Sequence, residues 1–362
     1  MKYAIVGLGR ISPTHLRAAQ ENRLDIVALC DKNEAKIQKA MQDFHLETSR
    51  VAVFTDHRKM LAECRPELVA VATSSGEHAS VALDCMESGA NVLVEKPIAM
   101  SLEDADEMIR CAQRKGVKLG VCHQNRFNEA IVKLRDAVEH EALGRLLYGT
   151  IQVRWSRGKT YYQQAGWRGT WKEDGGCLMN QCIHGIDLLR WMLGDEVAEV
   201  TAVTARLDHP YIEGEDLGMA IVRFQNGSYG MIEGTVNCFD DDFEERLCLF
   251  GTDGTVCVGG LATNQIDTWN LRDCTDGEEI CRKYRQVTKD VYGSGHTLVY
   301  RDILSAIAED RAPAVDGAAG RRALELVLAI YASAQQRRPV QLPLVGGSAE
   351  SFRSDFGPAE PR

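Results

Sequence analysis

Three side chains within one short segment have the types and spacing for shared chemistry. In the stretch 175–194, GGCLMNQCIHGIDLLRWMLG, an amide, an imidazole and a carboxylate interrupt an apolar run at Asn180, His184 and Asp187. An α-helix turns positions i, i+4 and i+7 to one face. Leu178, Cys182, Ile186, Leu189 and Leu193 fall on the opposite face and predict a helix packed on a core. Trp191 continues the polar face, and no Lys or Glu lies between Cys177 and Gly194. The plain alternative is a solvated outer face, because polar groups on greasy helices are often satisfied structural residues. A second reactive group stands upstream, where Glu95-Lys96-Pro97 ends an apolar run. An imidazole that titrates near neutrality suits the removal of a hydroxyl proton, and an ammonium suits the developing alkoxide.

Lys96 needs a strand end to hold it. The runs KYAIVGLG, LDIVALCD, VAVF, ELVAVAT, NVLVEKP and VKLGVCH read as buried strands. They alternate with the helical stretches PTHLRAAQEN, NEAKIQKAMQDF, HRKMLAEC, EHASVALDCMESG and SLEDADEMIRCAQRKG, the last with Ser101 as N-cap and Glu103 and Asp104 in its first turn. Alternation over roughly 120 residues predicts a doubly wound parallel sheet, whose sites lie at the carboxyl ends of its strands. Lys96 is at such an end, and Pro97 makes the Lys96–Pro97 bond a candidate for cis.

After a helix around 130–141 the pattern changes to longer strands: LLYGTIQVRWS, VAEVTAVTARL, GMAIVRFQNGSYGMIEGTVNC, ERLCLFGTDGTVCVGG and NQIDTWNLRD. The dipeptides Asn226-Gly227 and Asp253-Gly254 between them predict antiparallel sheet. Helices are expected over 298–309 and 321–336. The expected domains are 1–122 and 123–345, with 346–362 a flexible tail rich in Gly, Ser and Pro.

Gly7-Leu8-Gly9-Arg10-Ile11-Ser12 follows the first strand and opens a helix, the context a dinucleotide fingerprint requires. Gly7 permits the tight turn, and Gly9 lets the backbone approach a pyrophosphate at the helix N-terminus. Ser12 stands where the third glycine is usual. Asp31 ends the second strand, where a carboxylate bonds ribose hydroxyls and repels a 2′-phosphate. NAD is therefore favoured, and Lys32 beside it leaves NADP as the alternative. The candidate cofactor positions are Gly7, Gly9, Arg10, Ile11, Asp31, Thr73, Ser74, His78, Glu95, Lys96 and Gln124.

A net charge of −10 argues against a general nucleic-acid binder, and no basic recognition helix is present. Hydrophobic content of 44% and charged content of 26% are those of a globular protein, and no run is long enough to span a bilayer. The twelve cysteines are scattered, without a CxxC pair or metal-ligand spacing. They are read as free thiols of a cytoplasmic protein, with Cys177 and Cys182 as small buried hydrophobes rather than nucleophiles. No metal is expected.

The pieces GLGRISPTH, EKP, HQNRFN, GWRGTW, DGGCLMNQCIHGIDLLRW and VQLPL resemble the glucose–fructose oxidoreductase, inositol dehydrogenase and rhizopine-catabolism (Gfo/Idh/MocA) family of nicotinamide-dependent enzymes. The resemblance covers residues 1–344. It implies an α/β Rossmann domain followed by an α+β domain with a large open, mostly antiparallel sheet. It also implies sugar, polyol or related substrates, and homo-oligomers, often tetramers, paired through that sheet. Lys96 matches the lysine of the family's EKP, and His184 matches the histidine of GG-x-L-x-D-x-G-x-H. Asn180 stands where many members have Asp, and Cys182 where they have Gly. An inositol-dehydrogenase-style Lys–Asp–His triad is thus broken. The variant looks most like the branch containing UDP-N-acetyl-2-amino-2-deoxyglucuronate 3-dehydrogenases.

The expected activity is NAD-dependent oxidation of a secondary ring hydroxyl, at C3, of a nucleotide-linked sugar. His184 is the expected general base and Lys96 the stabiliser of the alkoxide. Asn180 would orient the substrate or Lys96, and Asp187 either His184 or the helix itself. Arg154, Arg157, Lys159, Arg168 and Lys172, interleaved with Tyr161, Tyr162, Trp167 and Trp171, suit a diphosphate and its base. An ordinary charged loop is the alternative. Arg126 and Asn125 are further substrate candidates. A free-sugar or inositol dehydrogenase is the second enzymatic reading. A catalytically silent NAD-binding sensor is the reading from another class, resting on Asn180.

Overall fold

The computed structural model describes residues 1–194, 196–285, 295–353 and 356. It forms two units, Met1–His123 with His296–Arg321, and Gln124–Gly295 with Arg322–Arg362. The break after His123 lies beside the expected boundary. Within the expected 123–345 stretch, residues 296–321 group with the first unit. Their apolar positions complete a sheet-and-helix core that the first stretch leaves open, which local sequence pattern does not reveal.

In the first unit the apolar runs become β1 (Lys2–Val6), β2 (Asp25–Cys30), β3 (Ala52–Phe54), β4 (Leu68–Val71), β5 (Asn91–Val94) and β6 (Leu119–Val121). All pair in parallel, in the order β3-β2-β1-β4-β5-β6, the doubly wound arrangement. β4 is fully buried, as a strand covered on both faces must be. The crossovers are α1 (Ser12–Glu21), α2 (Glu34–Asp43), α3 (His57–Cys64), α4 (His78–Glu87) and α5 (Leu102–Lys115). The side chains of Asn33, Asp56 and Ser101 accept the N–H groups of Ala35, Arg58 and Asp104, each meeting one of the free donors at the start of α2, α3 and α5. The Lys96–Pro97 bond is cis.

The second unit holds α6 (Glu129–Glu139), β7 (Leu146–Arg154), α7 (Lys159–Gln163), α8 (Ile183–Leu193) and β8 (Val197–Ala205). β9 (Leu217–Phe224), β10 (Tyr229–Thr235), β11 (Glu244–Gly251), β12 (Gly254–Gly259) and β13 (Gln265–Leu271) follow, then α9 (Gly277–Lys283). Along the chain come α10 (Gly295–Ala308), α11 (Gly317–Gln336) and β14 (Val340–Gln341). The eight-stranded sheet runs β13-β12-β11-β7-β10-β9-β8-β14, with β7–β10 its parallel pair. α8 packs on β7 and β10. The period-two alternation of β9 buries Ala220, Val222 and Phe224 and leaves Met219 and Ile221 exposed, together with Val203, Tyr229 and Met231. No helix among the described residues is long and apolar enough to cross a membrane.

Three local expectations change. The segment read as one α-helix begins with a π-helical turn, Leu178–Cys182, before α8; such turns are frequent at functional sites. Every residue from Cys177 to Met192 except Trp191 is buried, so the solvated-face alternative fails. The expected tail carries a short turn, Ala349–Phe352, whose Phe352 packs against Trp171 and Tyr331; residues 354–355 and 357–362 lie outside the described residues. Ten cysteines are free, but Cys248 and Cys257 form a disulfide. They face each other as register partners on β11 and β12, a pairing that a spacing of nine residues does not announce.

The double glycine before the π turn has a steric cause. The buried Glu215 carboxyl occupies the space that a side chain at Gly176 would need: a Cβ there would lie 1.3 Å from Glu215 Oε2. Glu215 Oε1 accepts the Leu178 N–H at 2.8 Å and the Tyr331 hydroxyl at 2.9 Å, which anchors the start of the helical segment. On the far side of α8, Glu245 accepts from Asn125 Nδ2 at 3.0 Å. Burial pushes the carboxyl groups of both Glu215 and Glu245 up to about 8. The folded state therefore holds protons that the unfolded chain releases in the ordinary carboxyl range. Their contribution to stability is complete in acid and is lost as pH rises through about 8. Glu245→Gln is expected to flatten the fall of melting temperature between about pH 5 and pH 8, read by calorimetry; a slope equal to the parent's would show that Glu245 is ionised in the fold.

Candidate active site

The first unit presents a turn built for a dinucleotide. Gly7 has φ +96°, and a Cβ there would meet the Ala72 carbonyl oxygen at 2.4 Å, so only glycine fits. Gly9, by contrast, has nothing within 4 Å of the Cβ position, which leaves its backbone open to a phosphate. Ser12 is buried and its hydroxyl donates to the Gly9 carbonyl at 2.8 Å, so it takes the third-glycine position without strain. Asp31 Oδ2 accepts the Leu8 N–H at 2.7 Å and Oδ1 the Asn33 N–H at 2.8 Å, which ties the end of β2 to the glycine turn. Lys32 pairs with Glu77. Arg10, Ile11, Thr73 and Ser74 lie with these groups along the carboxyl ends of β1, β2 and β4. These features fit NAD, which the residues Gly7, Gly9 and Asp31 would hold.

Lys96 follows β5 in a turn gripped from both sides. His78 Nδ1 donates to the Pro97 carbonyl at 2.7 Å, and Glu95 Oε2 accepts the Lys96 N–H at 3.2 Å. His78 and Glu95, expected at the cofactor, both point into the protein, 1% and 8% exposed. Burial alone would raise the Glu95 carboxyl; hydrogen bonds from His15 and His296 outweigh it and hold the group well below its usual range.

In the second unit, the polar face of the π turn and α8 is a connected network. Asn180 donates to Asp174 and accepts from Gln181 Nε2 at 2.8 Å. Gln181 also donates to the Tyr161 hydroxyl at 2.8 Å and accepts from Arg157 Nε at 3.0 Å. His184 Nε2 faces the Gln124 amide at 3.3 Å, so Gln124, expected among the cofactor contacts, is placed beside the imidazole. Asp174 and Gln181 were missed by sequence reasoning. Asp174 had a signal, since it stands immediately before the double glycine. Asp187 is fully buried and takes a two-pronged bond from Arg126, at 2.6 and 2.7 Å, and one from Arg190 at 2.9 Å. Its bonds lock α8 to the 3-10 turn Gln124–Phe127, and Arg126 spends two nitrogens there.

The cations separate into two groups. Arg154 lies on β7 and is neutralised by Glu233 and Glu244, each at 2.7 Å. Arg157, paired with Asp242 at 2.6 Å, and Arg168 converge on the Tyr161 ring, at 5.5 and 4.2 Å from its centroid, with Trp167 stacked by Arg168 at 4.8 Å. Lys159 lies over Tyr211. Tyr162 and Trp171 belong to the core, 3% and 1% exposed, and offer no surface to a ligand. The aromatic and cationic set that remains is Arg157, Arg168, Tyr161 and Trp167.

Comparison with known proteins places this geometry. The model for "Oxidoreductase family, NAD-binding Rossmann fold" matches residues 1–123, and that for "Oxidoreductase family, C-terminal alpha/beta domain" matches residues 135–342. A myo-inositol 2-dehydrogenase of Thermotoga maritima is 24% identical, across 96% of this chain and all of its own. A D-apiose dehydrogenase of Paraburkholderia graminis is 25% identical, across 98% and 92%. The WlbA dehydrogenase of Bordetella pertussis, solved with NADH and UDP-GlcNAcA, is similar with a TM-score of 0.87 and 35% identity, across 95% of this chain and 98% of that one. The WlbA dehydrogenase of Chromobacterium violaceum, with the same ligands, has a TM-score of 0.86 and 34% identity, across 95% and 96%. The two matches together span most of the sequence, and the chain belongs to the Gfo/Idh/MocA family of NAD-dependent oxidoreductases.

Proposed function

We propose that this oxidoreductase oxidises a ring hydroxyl, at C3, of a UDP-linked N-acetylated amino sugar or its uronate. The observation that carries the reading is the identity of 35% and 34% with dehydrogenases solved with UDP-GlcNAcA, against 24% and 25% with the inositol and apiose dehydrogenases. Two features of the chain agree with it. Asn180 stands where an inositol-type triad needs a carboxylate. Arg157 and Arg168 beside Tyr161 and Trp167 offer the cation and ring surface that a nucleoside diphosphate requires.

Bound NAD supplies the acceptor for the hydride leaving the carbinol carbon. His184 takes the hydroxyl proton at its imidazole, whose ring is steadied by the Gln124 amide. Lys96 donates from Nζ to the same oxygen and stabilises negative charge as it develops. Asn180, held by Asp174 and Gln181, orients the hydroxyl or the lysine and takes no proton. The exposed Met219, Ile221, Tyr229 and Met231 on the outer sheet face are the surface through which we propose that copies pair.

A panel of UDP-sugars against free sugars and inositols, followed by NADH absorbance, tests the substrate. Turnover of UDP-linked N-acetylated sugars is expected, with affinity for UDP reduced about tenfold in Arg157→Gln or Arg168→Gln and unchanged in Arg154→Gln. Turnover of inositols or free sugars alone would replace this reading with that of the inositol dehydrogenases. Lys96→Ala and His184→Asn are each expected to lower kcat by about 10²-fold or more while NADH fluorescence still reports cofactor binding; full turnover in either variant removes that residue from the mechanism. Met219→Glu combined with Ile221→Glu is expected to lower the native mass measured by light scattering, and an unchanged mass would put the interface elsewhere.

A further inference from the structure

Beneath the lysine turn lies a polar chain that neither the fingerprint nor the proposed mechanism uses. Glu95 Oε1 receives His15 Nε2 at 3.0 Å and His296 Nε2 at 3.3 Å, while Oε2 receives the Lys96 N–H at 3.2 Å. A carboxylate only accepts, so both facing imidazole nitrogens carry protons. Burial lowers the pKa of His15, against the pull of Glu95. The second ring nitrogen, Nδ1, lies 2.8 Å from the Tyr300 hydroxyl, which shares a hydrogen bond of 2.7 Å with Tyr3. His15, His296, Tyr3 and Tyr300 are each 1% exposed or less. The other groups facing Glu95 are Cys122, whose thiol burial pushes well up, and His78 on α4.

We propose that His15 and His296 are positioning residues for Lys96: they fix the Glu95 carboxylate, which fixes the backbone from which the lysine reaches the substrate oxygen. His15 lies on α1, the helix opened by the dinucleotide turn, and His296 on α10. The network therefore ties the cofactor turn and the reactive lysine to one buried anion. A misplaced ammonium costs transition-state stabilisation more than binding, so the effect falls on kcat. The inference rests on the reading of Lys96 given above.

The test compares His15→Leu with His15→Gln, whose amide N–H replaces Nε2–H, and the same pair at His296. In the Leu variants kcat is expected to fall about tenfold or more, with substrate KM and the NADH Kd from fluorescence within about twofold; Gln is expected to recover kcat to within about threefold. The rate at which trinitrobenzenesulfonate modifies Lys96, mapped by mass spectrometry, is expected to change in the Leu variants and return in the Gln variants. This last readout needs no turnover. If Lys96→Ala stays active, the lysine's catalytic role fails while its reactivity still judges the network. Unchanged kcat and reactivity in His15→Leu would overturn the proposal, as would a loss that tracks melting temperature and is not recovered by Gln. Stoichiometric zinc that disappears in His15→Leu would also overturn it, because His15, Glu95, Cys122 and His296 bring donor atoms within 4.8 Å of one another.

Discussion

A carboxyl group removed from water must be paired or must keep its proton, and both units of this protein are organised around that rule. Glu95 and Asp187 take the first course: one is held by two imidazoles and a backbone N–H, the other by two guanidinium groups. Glu215 and Glu245 take the second, flanking the helical segment that carries Asn180 and His184. Asp174 is satisfied by the Gly169 N–H and by Asn180. Each buried acid fixes the backbone or a side chain next to a proposed reacting group. The geometry of the candidate site therefore depends more on where these acids sit than on the loops around it.

The parallel half of the fold was legible because buried parallel strands are continuous apolar runs, and because Gly89, Gly116 and the caps at Asn33 and Ser101 mark where helices stop and start. Lys96 and His184 stand out in the sequence because their neighbours form compact motifs. What stayed hidden was tertiary. The partners of Arg154 lie 79 and 90 residues away, so its neutralisation cannot be seen in a local basic cluster. The π turn leaves no periodic trace over five residues. The two aromatic residues Tyr162 and Trp171 alternate with surface neighbours and are told from them only by packing.

The likeness to the WlbA dehydrogenases and the division of the cations bear on the same question. A strand arginine that spends its charge on two glutamates stiffens a sheet, whereas Arg157, itself paired with Asp242, and Arg168 meet over one tyrosine ring and set two guanidinium groups beside a flat surface. Selectivity between a bare polyol and a nucleotide-linked one would lie in that second pair, leaving the chemistry at the histidine and lysine common to both.

The return of residues 296–321 to the first unit has a consequence for biosynthesis. Glu95 and His296 are separated by 201 residues. At about 5–20 residues per second, a ribosome makes the acid some 10–40 s before its second imidazole. During that interval the nascent sheet holds an anion with an incomplete set of donors, and residues 124–295 of the other unit are translated in between. Completion of the N-terminal half is thereby made contingent on nearly the full message having been read.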